Sequence, residues 1–170
     1  ESESRGLGDV YKRQDMFEFS DVGKALSLVP GVYFRPEDGY GLRANIGIRG
    51  TIPNRSAKIA LMEDGILIAP APLSAPDAYY TPTFGRMSGI EVLKGPSALT
   101  EGPNTLGGAV NLISTPIPTK NEGKFNLEMG QDGNQKLHAT YGGNSGALGY
   151  LVEVYDLSLI HISEPTRLGF

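Results

Sequence analysis

Two basic residues stand in or beside short apolar runs, where an uncompensated charge is costly. Arg49 closes the run over residues 45–49, and Lys94 directly follows the run over residues 90–93. A buried cation that is left without a partner costs roughly 3–5 kcal/mol. Each residue therefore either finds a carboxylate partner or lies at the solvated end of a strand, and the residues alone leave both alternatives open.

Catalytic, metal-binding and phosphate-binding chemistry find little support in the sequence. The chain has no cysteine and two histidines, His138 and His161, and neither belongs to a Ser/His/Asp set or a cluster with metal-ligand spacing. Glu63 and Asp64 precede a glycine and fit a hairpin turn better than an acid–base pair. The glycine-rich residues 102–108 lack the lysine of a phosphate-binding loop. We therefore predict no enzyme activity, no metal site and no cofactor.

Composition narrows the choice of function further. The chain carries 15 Lys and Arg against 19 Asp and Glu, a net charge of −4, which is not the balance of a nucleic-acid-binding protein. Its 23 glycines and 12 prolines predict many turns and short elements. No apolar run approaches the ~20 residues of a membrane-spanning helix.

The two ends of the chain are predicted to be foreign to the rest. Codons can be chosen for residues 4–14 whose reverse complement translates as LSLIHISEPTR, which is the sequence of residues 157–167. This DNA resembles a transposase sequencing adapter translated in both directions. We therefore expect residues 1–14 and 157–170 to be adapter-derived artefacts, which are excluded from reasoning about the fold, and residues 15–156 to be the insert.

The elements that must position the two cations are short. Val22, Ala25, Leu26 and Val29 form one apolar helical stripe, which the pair Pro30-Gly31 ends. The Asp64-Gly65 pair between apolar runs predicts a hairpin. Strands are expected over residues 45–49, 58–62, 66–68, 90–93 and 109–114, a short helix over 96–100, and loops over 35–44 and 50–56.

From residue 125 onward the pattern changes to strict alternation. Phe125, Leu127 and Met129 alternate with polar residues, and the runs over residues 136–141 and 150–154 behave likewise, with turns expected at 132–134 and 142–146. A period of two predicts antiparallel strands. They belong either to an ordinary soluble sheet or to a transmembrane β-barrel.

Five segments match the motifs of one family, in the family's order. They are ALSLVPGV at residues 25–32, IGIRG at 46–50, LMEDG at 61–65, IEVLKGP at 90–96, and the glycine-containing run at 102–113. Over residues 21–118 the chain resembles the plug domain of a TonB-dependent outer-membrane receptor, of the ferric-dicitrate or ferric-siderophore type. Two positions depart from the pattern, because Glu101 replaces the usual tyrosine and Lys94 the usual arginine.

The resemblance implies an α+β fold. A small mixed-sheet plug domain with short helices, here truncated at its N-terminus, would occupy residues 15–118 and sit inside the 22-stranded barrel of a large outer-membrane transporter. Residues 119–156 would be the linker and the first antiparallel strands of a truncated transmembrane β-barrel. Because three strands cannot close a barrel, we expect this polypeptide alone neither to insert into a membrane nor to transport.

The resemblance also implies a function in the cell outer membrane of a Gram-negative bacterium. The receptor would take up a ferric chelate, ferric citrate or a ferric siderophore, and its plug would gate the barrel. Its partners would be TonB with ExbB and ExbD, the chelate and outer-membrane lipid, with no nucleic acid. The alternatives are a receptor for cobalamin or a glycan, or a soluble periplasmic binding module.

By the same resemblance, Arg49 and Lys94 would pair with carboxylates on the barrel wall, and Glu91 would join that network. The loops over residues 39–45, 51–56 and 69–83 would form the tip of the plug that meets the chelate. Their cations and aromatic residues suit an anionic ligand through charge-assisted hydrogen bonds and aromatic contact. These residues are Arg43, Arg55, Tyr79 and Tyr80. Solvation of the arginines and core packing of the tyrosines explain the same residues equally well.

Overall fold

A computed structural model describes residues 8–11, 22–36, 44–68, 82–95, 98, 101–102, 105–130 and 134–158. The chain divides into two compact units, one ending at Thr115 and the other beginning at Pro116. Among the described residues, no helix has the length and apolar character needed to cross a membrane. In chain order the elements are β1 (Gly8–Tyr11), α1 (Val22–Ser27), β2 (Val32–Pro36), β3 (Ala44–Ile48), β4 (Ile59–Glu63), β5 (Ile66–Leu67), β6 (Met87–Lys94), β7 (Gly108–Ser114), β8 (Glu122–Met129), β9 (Gln135–Asn144) and β10 (Gly149–Ser158).

The first unit is built on a mixed sheet of five strands. Its order is β1-β6-β7-β4-β5, and every neighbouring pair is antiparallel except β4 and β7, which run parallel. The strands β2 and β3 form a separate antiparallel pair. Two short 3-10 turns, Asn54–Ser56 and Phe84–Arg86, precede β4 and β6.

The core of this unit lies mainly on one face of the five-stranded sheet. Alternate residues of β4, β6 and β7 are buried against α1, β2 and β3, as the period of two requires. Each fully buried aliphatic side chain contributes about 1.5–3 kcal/mol. The buried set is Leu26, Val29, Ile46, Ile48, Ile59, Leu61, Phe84, Met87, Ile90, Val92, Val110 and Leu112. The opposite face carries a thinner cluster of Ala60, Met62, Ala98 and Ala109, with Leu93 packed against it.

The helix α1 is shorter than its apolar stripe. It ends at Ser27, yet Val29 beyond it is still buried in the core. The residue before a proline disfavours helical geometry, and Gly31 has a φ of +77°, which glycine adopts without strain. The chain therefore turns into β2. Residues 35 and 36, which were expected in a loop, belong to that strand, because its pairing with β3 continues to Pro36 and Ala44.

The predicted hairpin at Asp64-Gly65 is confirmed. Residues Met62 and Glu63 of β4 pair with Leu67 and Ile66 of β5. Both turn residues have positive φ, 50° and 79°, as a two-residue turn of the I′ type requires. The short helix predicted over residues 96–100 lies outside the described residues, apart from Ala98.

The second unit is a three-stranded antiparallel sheet in the order β10-β9-β8. All three alternating runs are strands, as predicted, but the turn expected at residues 142–146 is displaced to Ser145–Leu148. Gly142 and Gly143 instead continue β9, because they pair with Leu151 and Tyr150 of β10. The segment before β8 also packs against these glycines. An added Cβ would lie 2.9 Å from Pro118 Cδ at Gly142, and would overlap the Asn121 side chain at Gly143.

Two pieces of strand fall within the stretches that are expected to be adapter-derived. Gly8–Tyr11 pairs with β6, and residues 157–158 at the end of β10 pair with Lys136 and Gln135. Strand addition at a sheet edge uses backbone N–H and C=O groups, which any sequence supplies. The pairing is therefore compatible with the expected origin of both stretches.

Candidate functional site

The two basic residues singled out in the sequence come together at one end of the first unit. The Lys94 Nζ donates a hydrogen bond to the Pro30 carbonyl at 2.9 Å, and the Arg49 backbone N–H donates to the Gly31 carbonyl at 2.9 Å. The Arg49 guanidinium lies over Gly95, where an added Cβ would be 2.5 Å from Nη1. Both basic residues thus donate hydrogen bonds to the turn after α1, at the ends of β3 and β6.

Their surroundings differ. Arg49 is exposed, with a left-handed φ of 54°, and within the described part of the chain no ion pair involves its guanidinium. Lys94 is half-buried and hydrogen-bonded. In this chain Arg49 therefore presents a solvated positive charge at the end of β3. Lys94 is instead hydrogen-bonded to the turn after α1.

Glu91 lies apart from these cations. It is three residues before Lys94 on β6, so the two side chains leave opposite faces of the strand. Its carboxylate accepts a hydrogen bond from the Asn111 amide at 3.3 Å, and the Asn111 Oδ1 accepts the Gly65 N–H at 2.9 Å. The structure therefore associates Glu91 with the hairpin turn and does not bring it to Arg49.

Of the four residues expected to meet a ligand, the structure describes one. Arg43, Tyr79 and Tyr80 lie outside the described residues, as do most of the loops at 39–45 and 69–83. Arg55 is exposed, and its backbone N–H donates to the Asn45 Oδ1. The loop at 51–56 is described in full.

Polar side chains hold this loop along the non-core face of β3. The fully buried Ser56 Oγ accepts the Ile46 N–H at 2.9 Å, and the Thr51 hydroxyl bonds both the N–H and the carbonyl of Ile48. Gly47 lies under the loop, where an added Cβ would be 2.5 Å from the Thr51 carbonyl oxygen. These bonds satisfy backbone groups that β3 would otherwise leave unpaired.

Two exposed residues of β2 were missed in the sequence. Tyr33 and Arg35 of β2 lie opposite Gly47 and Asn45, and both are exposed. The signal was present, because Val32 and Phe34 alternate with them and pack against the core. The exposed positions of Tyr33 and Arg35 could have been predicted from this alternation if residues 32–36 had been interpreted as a strand.

A second set of polar contacts, also missed, fastens the end of β7. The Asp64 carboxylate accepts hydrogen bonds from both the N–H and the hydroxyl of Ser114. The Ser88 hydroxyl donates to the Ser114 carbonyl at 2.8 Å, and the Thr115 hydroxyl donates to the Arg86 carbonyl at 3.1 Å. We call Asp64, Ser88, Ser114 and Thr115 the exit clasp, because they hold the last residues before the second unit begins.

The sheet of the second unit has one apolar and one polar face. Phe125, Tyr141 and Val152 are among the exposed residues of the apolar face, and Phe125 is 72% exposed. On the other face, the Lys136 Nζ lies 2.9 Å from Glu128 Oε1, and the His138 Nε2 lies 2.8 Å from Glu153 Oε1. No group of three or more potential metal ligands occurs among the described residues.

The fold and the sequence motifs agree with a single family. The sequence profile of the TonB-dependent Receptor Plug Domain matches residues 4–109, more than half of the 170-residue chain. The chain belongs to this family, and the resemblance drawn from the sequence motifs is confirmed. The family consists of receptors and transporters, and the chain is not an enzyme.

Curated relatives share part of the sequence. A vitamin B12 transporter, BtuB, from Photobacterium profundum is 27% identical over 136 residues, which cover 80% of this chain and 22% of the relative. A BtuB from Vibrio vulnificus is 29% identical over 112 residues, which cover 66% of this chain and 18% of the relative. This chain thus spans about a fifth of the length of these relatives.

Solved structures show the same fold. The ferric citrate transporter FecA, in its unliganded form, superposes with a TM-score of 0.70 and 26% identity over 90% of this chain and 26% of its own. The pyoverdine outer membrane receptor FpvA from Pseudomonas aeruginosa superposes with a TM-score of 0.62 and 26% identity, over 79% of this chain and 19% of its own.

Proposed function

We propose that the chain is a piece of an outer-membrane TonB-dependent transporter that takes up a ferric chelate, either ferric citrate or a ferric siderophore. Its first unit would be the plug that gates the barrel and contributes to ligand binding. FecA and FpvA, named for ferric citrate and pyoverdine, support this choice, because each is 26% identical to the chain.

The observation that carries the proposal is the polarity of the β8–β10 sheet. A sheet in water buries its apolar face, whereas here that face is exposed and the polar face holds the ion pairs. Outward apolar and inward polar residues are the arrangement of a transmembrane barrel wall. Residues 119–156 are accordingly proposed as the linker and first barrel strands, in preference to a soluble periplasmic module.

The proposed plug–barrel contact uses the cations at the end of β3 and β6. Arg49 presents an exposed guanidinium, and Lys94 lies beside it, so a carboxylate on an enclosing wall would find two positive charges close together. Glu91 remains a proposed member of this network, on the other face of β6. Arg49 is the stronger candidate of the two cations, because its planar fork can bind a carboxylate through two parallel bonds.

Ligand contacts are proposed for Arg43, Arg55, Tyr79 and Tyr80. The arginines would bind an anionic chelate by charge-assisted hydrogen bonds. A second candidate ligand, cobalamin, is favoured by the two relatives that are named vitamin B12 transporters. The proposed partners of the whole receptor are TonB with ExbB and ExbD, the ligand and outer-membrane lipid.

Uptake by the whole receptor tests the proposal. The gene that contains this sequence would be expressed in a bacterium lacking its own ferric citrate, siderophore and cobalamin receptors, with and without TonB. We expect TonB-dependent accumulation of radiolabelled iron supplied as ferric citrate or as a ferric siderophore. Accumulation of labelled cobalamin alone would replace the first candidate by the second, and no TonB-dependent uptake of either would refute both.

A further inference from the structure

We propose that Asp64 is a latent modification site, at which the backbone rearranges to isoaspartate when the exit clasp opens. The Asp64-Gly65 pair carries both reacting groups, and in the closed structure hydrogen bonds hold these groups apart. The site is separate from the proposed uptake, because the rearrangement needs water and no ligand, metal or partner protein.

The chemistry lies in the pair of residues itself. Aspartate followed by glycine rearranges readily, because glycine has no side chain to hinder its backbone nitrogen. The Gly65 nitrogen bonds to the Asp64 Cγ, and one oxygen of the protonated carboxyl group leaves as water with the N–H proton and the carboxyl proton. The resulting cyclic imide then takes up one water. Opening at Cγ restores aspartate, whereas opening at the backbone carbonyl carbon of Asp64 leaves isoaspartate, whose main chain runs through Cβ and Cγ.

In the structure both reacting groups are bound to residues of β7. The Asp64 carboxylate accepts the Ser114 N–H at 2.9 Å and also the Ser114 hydroxyl. The Gly65 N–H is turned away from this carboxylate and donates to the Asn111 Oδ1 at 2.9 Å. The nitrogen and the carboxyl carbon therefore cannot meet until these hydrogen bonds open.

The conformation of the turn adds a geometric barrier. The imide ring is nearly flat, so the Gly65 nitrogen and the Asp64 Cβ must eclipse about the Cα–C bond. Asp64 has a φ of 50°, and in left-handed backbone these two atoms are well away from eclipsed. Pairing of β4 with β5 on either side of the turn maintains this conformation. Both turn residues are exposed, so water reaches an imide that forms there.

Conversion would remove both roles of Asp64. Isoaspartate adds one carbon to the main chain, which a two-residue turn of the I′ type does not accommodate. Its carboxylate is attached at Cα, so it no longer projects from a side chain toward Ser114. An exit clasp that has opened for long enough to react therefore cannot close again in its original form.

Incubation of the folded 170-residue chain in warm neutral buffer, beside a synthetic peptide of residues 59–68, tests the site. Fragmentation mass spectrometry locates isoaspartate in both samples. We expect Asp64 to convert in the peptide and to convert at least about tenfold more slowly in the folded chain, because hydrogen bonds to a charged carboxylate must open first. Equal rates in peptide and chain would overturn the proposal, as would a peptide that forms no isoaspartate.

Ser114→Ala assigns the protection to the clasp. It removes the hydroxyl that bonds the carboxylate and should speed conversion of Asp64 about fivefold. The matched control is Ser88→Ala, which removes a hydroxyl of the same clasp that bonds the Ser114 carbonyl, and it should change the rate less than about twofold. Circular dichroism shows whether each variant keeps its fold.

Two further Asp-Gly pairs, at residues 38–39 and 132–133, lie outside the described residues and serve as references within the same chain. Their conversion should be equal in Ser114→Ala and in the unaltered chain. Equal acceleration at all three pairs, or by Ser88→Ala, would overturn the proposal, because the protection would then come from folding as a whole. If Ser114→Ala does not fold, the comparison of the unaltered chain with the peptide still decides.

Discussion

At the scale of single residues, glycines and left-handed residues decide where the loop after β3 can lie. Gly47 leaves room for the Thr51 carbonyl, and Arg55 and Ser56 turn the chain back along the strand. The exposed guanidinium of Arg55 is the consequence of these contacts. The position of Arg55 is thus set by its neighbours on β3 and in the loop.

Gly47→Ala should destabilise the first unit by about 1–3 kcal/mol, because the added methyl group would press on a backbone atom that cannot move freely. Gly89→Ala is the matched control, since its Cβ would meet only Ile113 at 3.9 Å, an ordinary contact. Chemical denaturation of both variants measures the difference. Equal stability of the two variants would contradict the close approach at Gly47.

At the scale of elements, the hairpin of β4 and β5 is fastened to the end of β7 by the exit clasp. Asp64 contributes both a left-handed turn residue and an acceptor for Ser114. Because β4 and β7 are parallel and far apart in sequence, these side-chain bonds connect strands that no turn joins directly. We infer that the clasp keeps β7 in place where the first unit ends.

The substitution Asp64→Gly distinguishes the two roles of Asp64, because it keeps the left-handed turn and removes the carboxylate of the exit clasp. Glycine relieves the left-handed cost of roughly 1–2 kcal/mol, while loss of the exposed carboxylate removes bonds worth about 1–2 kcal/mol, so overall stability should change little. Local hydrogen exchange at the Ser114 amide should nevertheless quicken about tenfold. Asp64→Asn, which keeps an acceptor and tolerates the turn, should show a smaller change. Unchanged exchange in Asp64→Gly would show that the clasp contributes nothing.

At the scale of the whole molecule, the two units differ in where their apolar side chains lie. The first buries its apolar side chains in a core, and the second exposes a row of them on one face of a sheet. Three strands leave two edges with unpaired N–H and C=O groups, which lipid cannot solvate. Within the described residues, the second unit therefore combines an exposed apolar face with two sheet edges that no further strand pairs.

The purified chain, added to lipid vesicles, should show no heat-modifiable migration in gel electrophoresis, because an unclosed sheet cannot cross the hydrocarbon region. A Phe125→Ser/Val152→Ser double variant should need less detergent to stay soluble, since it interrupts the exposed apolar face. The polar-face variant Thr140→Ser serves as the control. Heat-modifiable insertion of the unaltered chain would contradict the expectation.

The elements with strong local signals could be predicted. The Asp64-Gly65 hairpin, the apolar strands β4, β6 and β7, and the alternation of β8 to β10 follow from periodicity and turn chemistry. Where prediction failed, packing overrode a local signal. The glycines of β9 form strand because β10 pairs with them. Residues 35 and 36 form strand because β3 pairs with them.

The family and the short mixed elements were determined by the sequence, because motif order and residue type are local properties of the chain. The roles expected for Arg49, Lys94 and Arg55 stay predictions. The tertiary structure decided which of these residues meet. It brought Lys94 to the turn beside Arg49, separated Glu91 from both, and placed Tyr33 and Arg35 opposite Gly47 and Asn45 of β3. The physical reason is that strand pairing and burial join residues that are distant in sequence, and no local pattern records which pairs will form.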